Sequence, residues 1–117
     1  MRFLVVEDED LVAEVLAAMI EDLGHEVCGT ARNASEAFTL IEATRPGALL
    51  VDVDLGRGGS GLDVAVHAYI RHGLRALFVS AHIDGWLVRS LQAVRPYGFI
   101  AKPFPPEQLA ETVGRIA

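Results

Sequence analysis

Residues 48–54 are Ala-Leu-Leu-Val-Asp-Val-Asp, four consecutive apolar residues that lead directly into two carboxylates. An apolar run of this length without polar alternation is typical of a strand that is buried on both faces of a parallel sheet. Comparable runs stand at 2–6, 26–31, 75–80 and 97–101. The sequence therefore predicts five strands, of which the one ending at Asp52 is the third.

Segments with helical periodicity separate these runs. Across 10–23, apolar residues recur at intervals of four from Leu11 and Val15 onward, which predicts one broad inward-facing stripe that stops at Gly24. Asn33, with Glu36 three positions later, predicts the start of a second helix, because asparagine is a favoured N-cap.

The remaining helices are predicted from their boundaries. Arg45-Pro46-Gly47 ends the second helix, since proline disfavours helical geometry at the residue before it. A glycine-rich loop at 56–61 precedes a third helix at 62–72, and a fourth is predicted at 84–94. The last begins near Pro105-Pro106, where proline is tolerated.

Five alternating β–α units predict an α/β fold. A five-stranded parallel sheet in the order 2-1-3-4-5, doubly wound with helices on both faces, is the flavodoxin-like solution for such a chain. The length of 117 residues suits one compact domain, so we predict a single domain over 1–117.

The composition of the chain argues against several classes of function. A formal net charge of -6 and the lack of any basic run argue against direct nucleic-acid binding. Cys28 stands alone and cannot form an internal disulfide, which suits a reducing compartment. No segment has the length of a signal peptide or a membrane span, so a cytoplasmic protein without membrane insertion is expected.

Polar residues follow four of the predicted strands. Glu7 and Asp8 come after the first strand, Asp52 ends the third, Ser80 ends the fourth and Lys102 follows the fifth. The carboxyl ends of parallel strands meet at one edge, where ligands bind in open α/β sheets. Clustered carboxylates repel one another and either raise a pKa or recruit a hard cation, and Mg²⁺ or Mn²⁺ suits such oxygen ligands.

At this point the sequence resembles the response-regulator receiver domain of two-component signalling and phosphorelays. The matching segments are Val-Val-Glu-Asp-Glu-Asp at 5–10, Leu-Leu-Val-Asp-Val-Asp-Leu at 49–55, Phe-Val-Ser-Ala at 78–81 and Lys-Pro-Phe at 102–104. They occur in the family's order, at the ends of four predicted strands, and the resemblance covers 2–117.

The resemblance implies a metal-dependent phosphoryl acceptor. Asp52 would become the aspartyl phosphate and would also bind Mg²⁺. Asp8 would bind the metal directly, Glu7 mainly through water, and Asp54 through its backbone carbonyl. This makes the chain a signalling module rather than an enzyme, apart from hydrolysis of its own phosphoryl group.

Other positions acquire roles by the same resemblance. Ser80 and Lys102 would each contact a phosphoryl oxygen, and the peptide before Pro103 is commonly cis in the family. Phe99 would be the aromatic switch that moves inward with Ser80, although a purely structural place in the core is an equal alternative. Asp54 and His82 occupy positions where family members vary and where the hydrolysis rate responds.

The resemblance also implies partners. A sensor histidine kinase or a histidine phosphotransfer protein would supply the phosphoryl group. An unnamed output partner would bind the face formed by the fourth helix, fifth strand and fifth helix, where a homodimer is left open. Trp86, in the fourth helix, is expected to be partly buried. Gly56 departs from the family's usual proline four residues after the acceptor.

Two alternatives stay open on the sequence alone. A pseudo-receiver would keep the fold as an interaction module and accept no phosphoryl group. A phosphatase of the haloacid dehalogenase type would use Asp52-Val53-Asp54 as its Asp-x-Asp motif. The second alternative fits less well, because that motif normally follows a first strand and this one follows the third.

Overall fold

The computed structural model describes residues 1–56 and 59–116, so the predicted glycine-rich loop is described only in part, with 57 and 58 outside it. The strands are β1 (Arg2–Val6), β2 (Glu26–Ala31), β3 (Ala48–Asp52), β4 (Ala76–Ser80) and β5 (Gly98–Ala101). The helices are α1 (Asp10–Asp22), α2 (Ala34–Thr44), α3 (Gly61–His72), α4 (Gly85–Ser90) and α5 (Pro106–Ile116).

The strands form one parallel sheet in the order β2-β1-β3-β4-β5, which confirms the predicted fold. All five residues of β3 are buried, as are all five of β4, because helices cover both faces of the sheet. Alternate residues of β3 enter two different cores. Leu49 and Val51 pack with α2, α3 and α4, whereas Leu50 packs with α1 and α5.

The predicted helix ends agree with the structure to within a residue or two, except in α4. The side chain of Asn33 accepts a hydrogen bond from the backbone N–H of Glu36 at 2.8 Å and so caps α2. Arg45 ends that helix in the left-handed conformation, with φ of 48°. These local signals fix where β3 begins and therefore where Asp52 lies.

The fourth helix is shorter than predicted. The pattern predicts a helix over 84–94, but α4 ends at Ser90 and a separate 3-10 turn follows at Gln92–Val94. The side-chain amide of Gln92 donates to the carbonyl of Val88 at 2.9 Å. That carbonyl would accept the backbone N–H of Gln92 in a continuous helix, so the side chain competes with the helical ladder.

The predicted burial of two helices is wrong in part. Leu11 and Val15 on α1 are 72% and 51% exposed, although Ile20 on the same helix is fully buried. The apolar stripe covers more of the helix circumference than the sheet can cover, so its outer edge faces solvent. Trp86 on α4 is 65% exposed rather than partly buried.

The start of α3 lies very close to the end of β3. A Cβ atom placed on Gly61 would overlap the backbone carbonyl of Asp52 and would lie 2.8 Å from a methyl carbon of Val51. The backbone N–H of Gly61 donates to the carbonyl of Val53 at 2.9 Å. Glycine is therefore required here for the chain to return against the strand that carries Asp52.

We predict that Gly61→Ala lowers the free energy of unfolding by about 1–3 kcal/mol, because the added methyl group must displace β3 or α3. Urea denaturation followed by circular dichroism would measure the change. Gly114→Ala is the matched control, since a Cβ at Gly114 in α5 meets nothing within 4 Å. It should raise stability by up to about 1 kcal/mol. Equal effects of the two substitutions would contradict the steric argument.

Candidate phosphoryl-acceptor and metal site

The predicted site residues converge at the carboxyl edge of the sheet. The side chains of Asp52 and Ser80, the last residues of β3 and β4, are held there by the parallel register of the two strands. Glu7 follows β1 directly and Lys102 follows β5 directly. A cavity of about 240 Å³ opens at this edge and is lined by Asp8, Glu9, Asp52, Asp54, Gly56, Ser80, Ala81, His82 and Lys102.

Both carboxylate oxygens of Asp52 have a hydrogen-bond donor. The backbone N–H of Asp54 donates to Oδ1 at 3.1 Å, and the ammonium of Lys102 donates to Oδ2 at 3.1 Å. Two donors on two oxygens fix the orientation of the carboxylate. Each oxygen has a further lone pair, so the group can still take another ligand. Asp52 is 9% exposed and lines the cavity, through which a small molecule can reach it.

Lys102 also pairs with Glu7, at 2.6 Å between Nζ and Oε1. The carboxylate of Glu7 is 1% exposed and accepts a second hydrogen bond from the backbone N–H of Glu9. Desolvation by burial outweighs these contacts and raises the pKa of Glu7 to about 7. The two carboxylates in turn raise the pKa of Lys102 against its own burial, so the ammonium stays charged at neutral pH.

Three carboxylates form a candidate metal site. Glu7, Asp8 and Asp52 each offer an oxygen, and these oxygens all lie within 4.8 Å of one another. A hard divalent cation prefers oxygen ligands in such a cluster and relieves the repulsion between them. The donor set therefore fits the predicted Mg²⁺ or Mn²⁺. Asp8 is exposed, which leaves one side of the cluster open to solvent.

Asp54 and His82, the two positions predicted to influence the hydrolysis rate, line the cavity. The exposed carboxylate of Asp54 accepts a hydrogen bond from the backbone N–H of Gly56 at 2.9 Å, within its own loop. His82 is exposed and also lines the cavity. Its backbone N–H donates to Oγ of Ser80 at 3.1 Å. Both side chains are therefore near Asp52 without contacting it in the described hydrogen bonds.

Ser80 and Phe99 lie on one face of neighbouring strands. Phe78 and Phe99 are register partners of β4 and β5, and their rings stack with centroids 5.4 Å apart. Ser80 follows Phe78 by two residues, so its 2% exposed side chain points to the same face. This arrangement fits both the switch role and the purely structural role predicted for Phe99. The ring packs against the core, and yet it is only partly buried.

The sequence reasoning missed two features of the site. It placed Lys102 near the phosphoryl group but did not predict its direct pairing with Glu7, because a contact across 95 residues leaves no local signal. It also treated Gly61 only as the last residue of a glycine-rich loop and did not predict its close approach to Asp52. The peptide between Lys102 and Pro103 is cis, as the resemblance implies.

The parallel sheet with its carboxylate-lined edge fits the receiver class of signalling module, and comparison with known proteins gives the family of this chain. The response regulator receiver domain model matches residues 3–114, so the chain belongs to this family. This membership also favours a receiver over the phosphatase alternative. Within the described residues, no helix is long and apolar enough to cross a membrane.

The chain is similar to several regulators of known name. It is 35% identical to the phyllosphere-induced regulator PhyR of Methylorubrum extorquens over 97% of this chain and 42% of that protein. It is 36% identical to the positive alginate biosynthesis regulatory protein of Pseudomonas aeruginosa, over 97% of this chain and 46% of that one. The chain thus spans less than half the length of these two curated relatives.

Solved structures agree with the fold. The crystal structure of the response regulator PhyR from Brucella abortus is 31% identical with a TM-score of 0.82, over 97% of this chain and 46% of that one. A two-component response regulator of the LuxR family from Aurantimonas is 26% identical with a TM-score of 0.89, over 98% and 83% of the two chains.

The raised pKa of Glu7 predicts a specific pH dependence of stability. The unfolded carboxyl ionises near pH 4.5, whereas the folded one keeps its proton to about pH 7. The free energy of unfolding should therefore fall as pH rises across this window, by roughly 3 kcal/mol in total. Glu7→Gln should match the wild type at pH 4.5 and exceed it above pH 7.

Urea denaturation with EDTA present, at the two ends of this window, measures the difference. Glu14→Gln on the exposed side of α1 serves as the control and should follow the wild type at both pH values. A constant difference between Glu7→Gln and wild type across the window would contradict the assigned titration.

Proposed function

We propose that this receiver domain, as a single domain over 1–117, accepts a phosphoryl group on Asp52 from a sensor histidine kinase or a histidine phosphotransfer protein. The observation that supports the proposal best is the geometry around Asp52. A buried carboxylate is oriented by two donors, lies beside two further carboxylates that suit Mg²⁺, and opens into one solvent-accessible cavity.

The proposed transfer requires little from the protein besides positioning. An oxygen of the ionised Asp52 carboxylate attacks the phosphorus atom, and the bond from phosphorus to the donor's imidazole nitrogen breaks. The electron pair of that bond leaves with the imidazole. Because a carboxylate is already nucleophilic at neutral pH, no general base is needed. In-line placement and neutralisation of the equatorial oxygens dominate such reactions.

In this proposal, residues of the site place the phosphoryl group and neutralise its charge. Glu7, Asp8 and Asp52, together with the carbonyl of Asp54, would hold Mg²⁺. When bound, the ion would supply positive charge that offsets the negative charge of the phosphoryl oxygens. Lys102 would exchange its contact with Asp52 Oδ2 for a phosphoryl oxygen. Its second carboxylate partner, Glu7, keeps the ammonium close to the site meanwhile.

The proposed output begins at Ser80. Its hydroxyl would turn from the backbone of His82 toward the phosphoryl group, which frees space beside it. Phe99 lies on the same face of the neighbouring strand and would move into that space. The changed surface would be the one formed by α4, β5 and α5. One solved relative from Bartonella quintana is described as the anti-anti-sigma factor PhyR, so we extend the proposal to a protein partner in transcriptional control.

The pseudo-receiver stays as the second candidate. It shares the fold and the family, and it differs only in whether Asp52 is modified. The pairing of the buried Asp52 with Lys102, beside two further carboxylates that could hold a metal ion, favours the active receiver.

Incubation with Mg²⁺ and acetyl phosphate separates the two candidates. We expect intact-mass spectrometry to show one added phosphoryl group on the wild type, lost in EDTA and absent from Asp52→Asn. Asp63→Asn is the control, because Asp63 is an exposed carboxylate in the first turn of α3. It should be modified like the wild type. An unmodified wild-type protein would favour the pseudo-receiver, and continuous turnover of the donor would favour a phosphatase.

The two exposed side chains beside the cavity should set the lifetime of the phosphoryl group. Asp54→Asn and His82→Ala alter groups that line the route for attacking water without contacting Asp52. We expect either substitution to change the hydrolysis rate by roughly ten-fold, less than the ~10²–10⁴-fold of a general acid or base, because neither side chain contacts Asp52. Dephosphorylation followed by mass spectrometry after removal of the donor measures this. Unchanged lifetimes in both variants would contradict the assignment.

A further inference from the structure

The amino edge of the sheet, opposite the carboxylate cluster, carries five arginines. Arg2 begins β1, Arg45 precedes β3, Arg71 and Arg75 precede β4, and Arg95 precedes β5. These are half of the ten basic residues of a chain whose formal net charge is -6. We name these five arginines the basic edge. Its charge contrasts with the acidic residues at the other end of the strands.

Contacts order the basic edge in two groups, one between β1 and β3 and one between β4 and β5, which together form a strip along the sheet. Arg2 donates to the carbonyl of Arg45 at 3.3 Å, and a guanidinium nitrogen of Arg45 lies 3.5 Å from Nδ1 of His72. Arg75 donates to the carbonyl of Arg95 at 2.5 Å. Neighbouring strands are about 4.8 Å apart, so the strip from β1 to β5 spans roughly 14 Å. That length matches about four residues of an extended peptide.

Two carboxylates already lie along this strip: Glu26 pairs with Arg2 at 3.2 Å, and Glu42 lies among the donors near β3 and β4. Glu42 of α2 lies 3.0 Å from Nε2 of His72, 3.6 Å from a guanidinium nitrogen of Arg45 and 4.0 Å from one of Arg71. These neighbours, His72 first, lower the pKa of Glu42, so it is ionised at neutral pH. Glu42 is itself exposed, so a carboxylate from outside can compete for the same donors.

A cavity of about 500 Å³ adjoins these donors. Arg45, Arg71 and His72 line its polar side, and Ile41, Pro46 and Leu74 supply apolar surface. The side chain of His72 is only 15% exposed, so its position is fixed by packing. The cavity thus offers room for a peptide backbone and an aliphatic side chain beside the carboxylate-binding donors.

We propose that the basic edge docks an acidic peptide segment of a partner protein. One of its carboxylates takes the place of Glu42 among Arg45, Arg71 and His72, and later carboxylates meet Arg75 and Arg95. Charge complementarity supports this occupant. A short segment contacts only the basic strip. An extended polyanion such as nucleic acid would also contact the acidic remainder of the surface, which would repel it. This proposal is independent of phosphoryl transfer to Asp52.

Fluorescence anisotropy with fluorescein-labelled hexaglutamate tests the proposal. The wild type should bind at low ionic strength and release the peptide as salt is added. Arg45→Gln/Arg71→Gln should weaken binding roughly five-fold, as expected for the loss of two exposed ion pairs. Arg32→Gln/Arg89→Gln is the matched control, because it makes the same change in net charge away from the strip. It should stay within roughly two-fold of the wild type.

Glu42→Gln gives an opposite readout. It removes the internal competitor but leaves the donors, so affinity for hexaglutamate should rise, which loss of fold could not produce. Circular dichroism checks that every variant is folded. Failure of the wild type to bind, equal weakening by the two double variants, or an unchanged or lower affinity of Glu42→Gln would each overturn the proposal. Equally tight binding of a hexathymidylate would overturn the choice of a peptide.

Discussion

The site depends on the ammonium of Lys102, which lies between the buried carboxylates of Glu7 and Asp52. Carboxylates a few Å apart repel, and a buried carboxylate loses hydration as well. A single cation that donates to both offsets part of these costs. The part of the desolvation cost that Lys102 does not offset raises the pKa of Glu7. Because the negative charge of the cluster is only partly neutralised, a further cation stabilises it. The same residues therefore suit Mg²⁺.

The parallel sheet provides the geometry for this interaction. Its central strands β1, β3 and β4 are buried on both faces, so their register is fixed by two cores rather than by the surface. Asp52 pairs in register with Val79, so Ser80 ends the adjacent strand one residue further on, and the chain segments after β1 and β5 bring Glu7 and Lys102 to them. Gly61 completes the arrangement, because only a residue without a side chain can approach the Asp52 carbonyl.

Much of this could be predicted from the sequence. Apolar runs gave the strands, and a few local signals such as Asn33 and Arg45-Pro46 gave helix boundaries that the structure confirms. The convergence of Asp52 with Lys102 followed from the rule that parallel strands end at one edge. What could not be predicted depends mostly on tertiary contacts. The exposure of Trp86 and the pairing of Glu7 with Lys102 are decided by packing across the fold, whereas the early end of α4 depends on a side-chain contact of Gln92 that helical periodicity does not register.

The central claim is that Asp52, and no other carboxylate of the cluster, accepts the phosphoryl group. Borohydride reduction of the phosphorylated protein converts an aspartyl phosphate to homoserine, and peptide mass spectrometry then locates the converted residue. The account predicts homoserine at 52, and only after treatment with Mg²⁺ and a phosphodonor. Conversion at Asp8 or Asp54, or no conversion in a protein that carries the label, would contradict it.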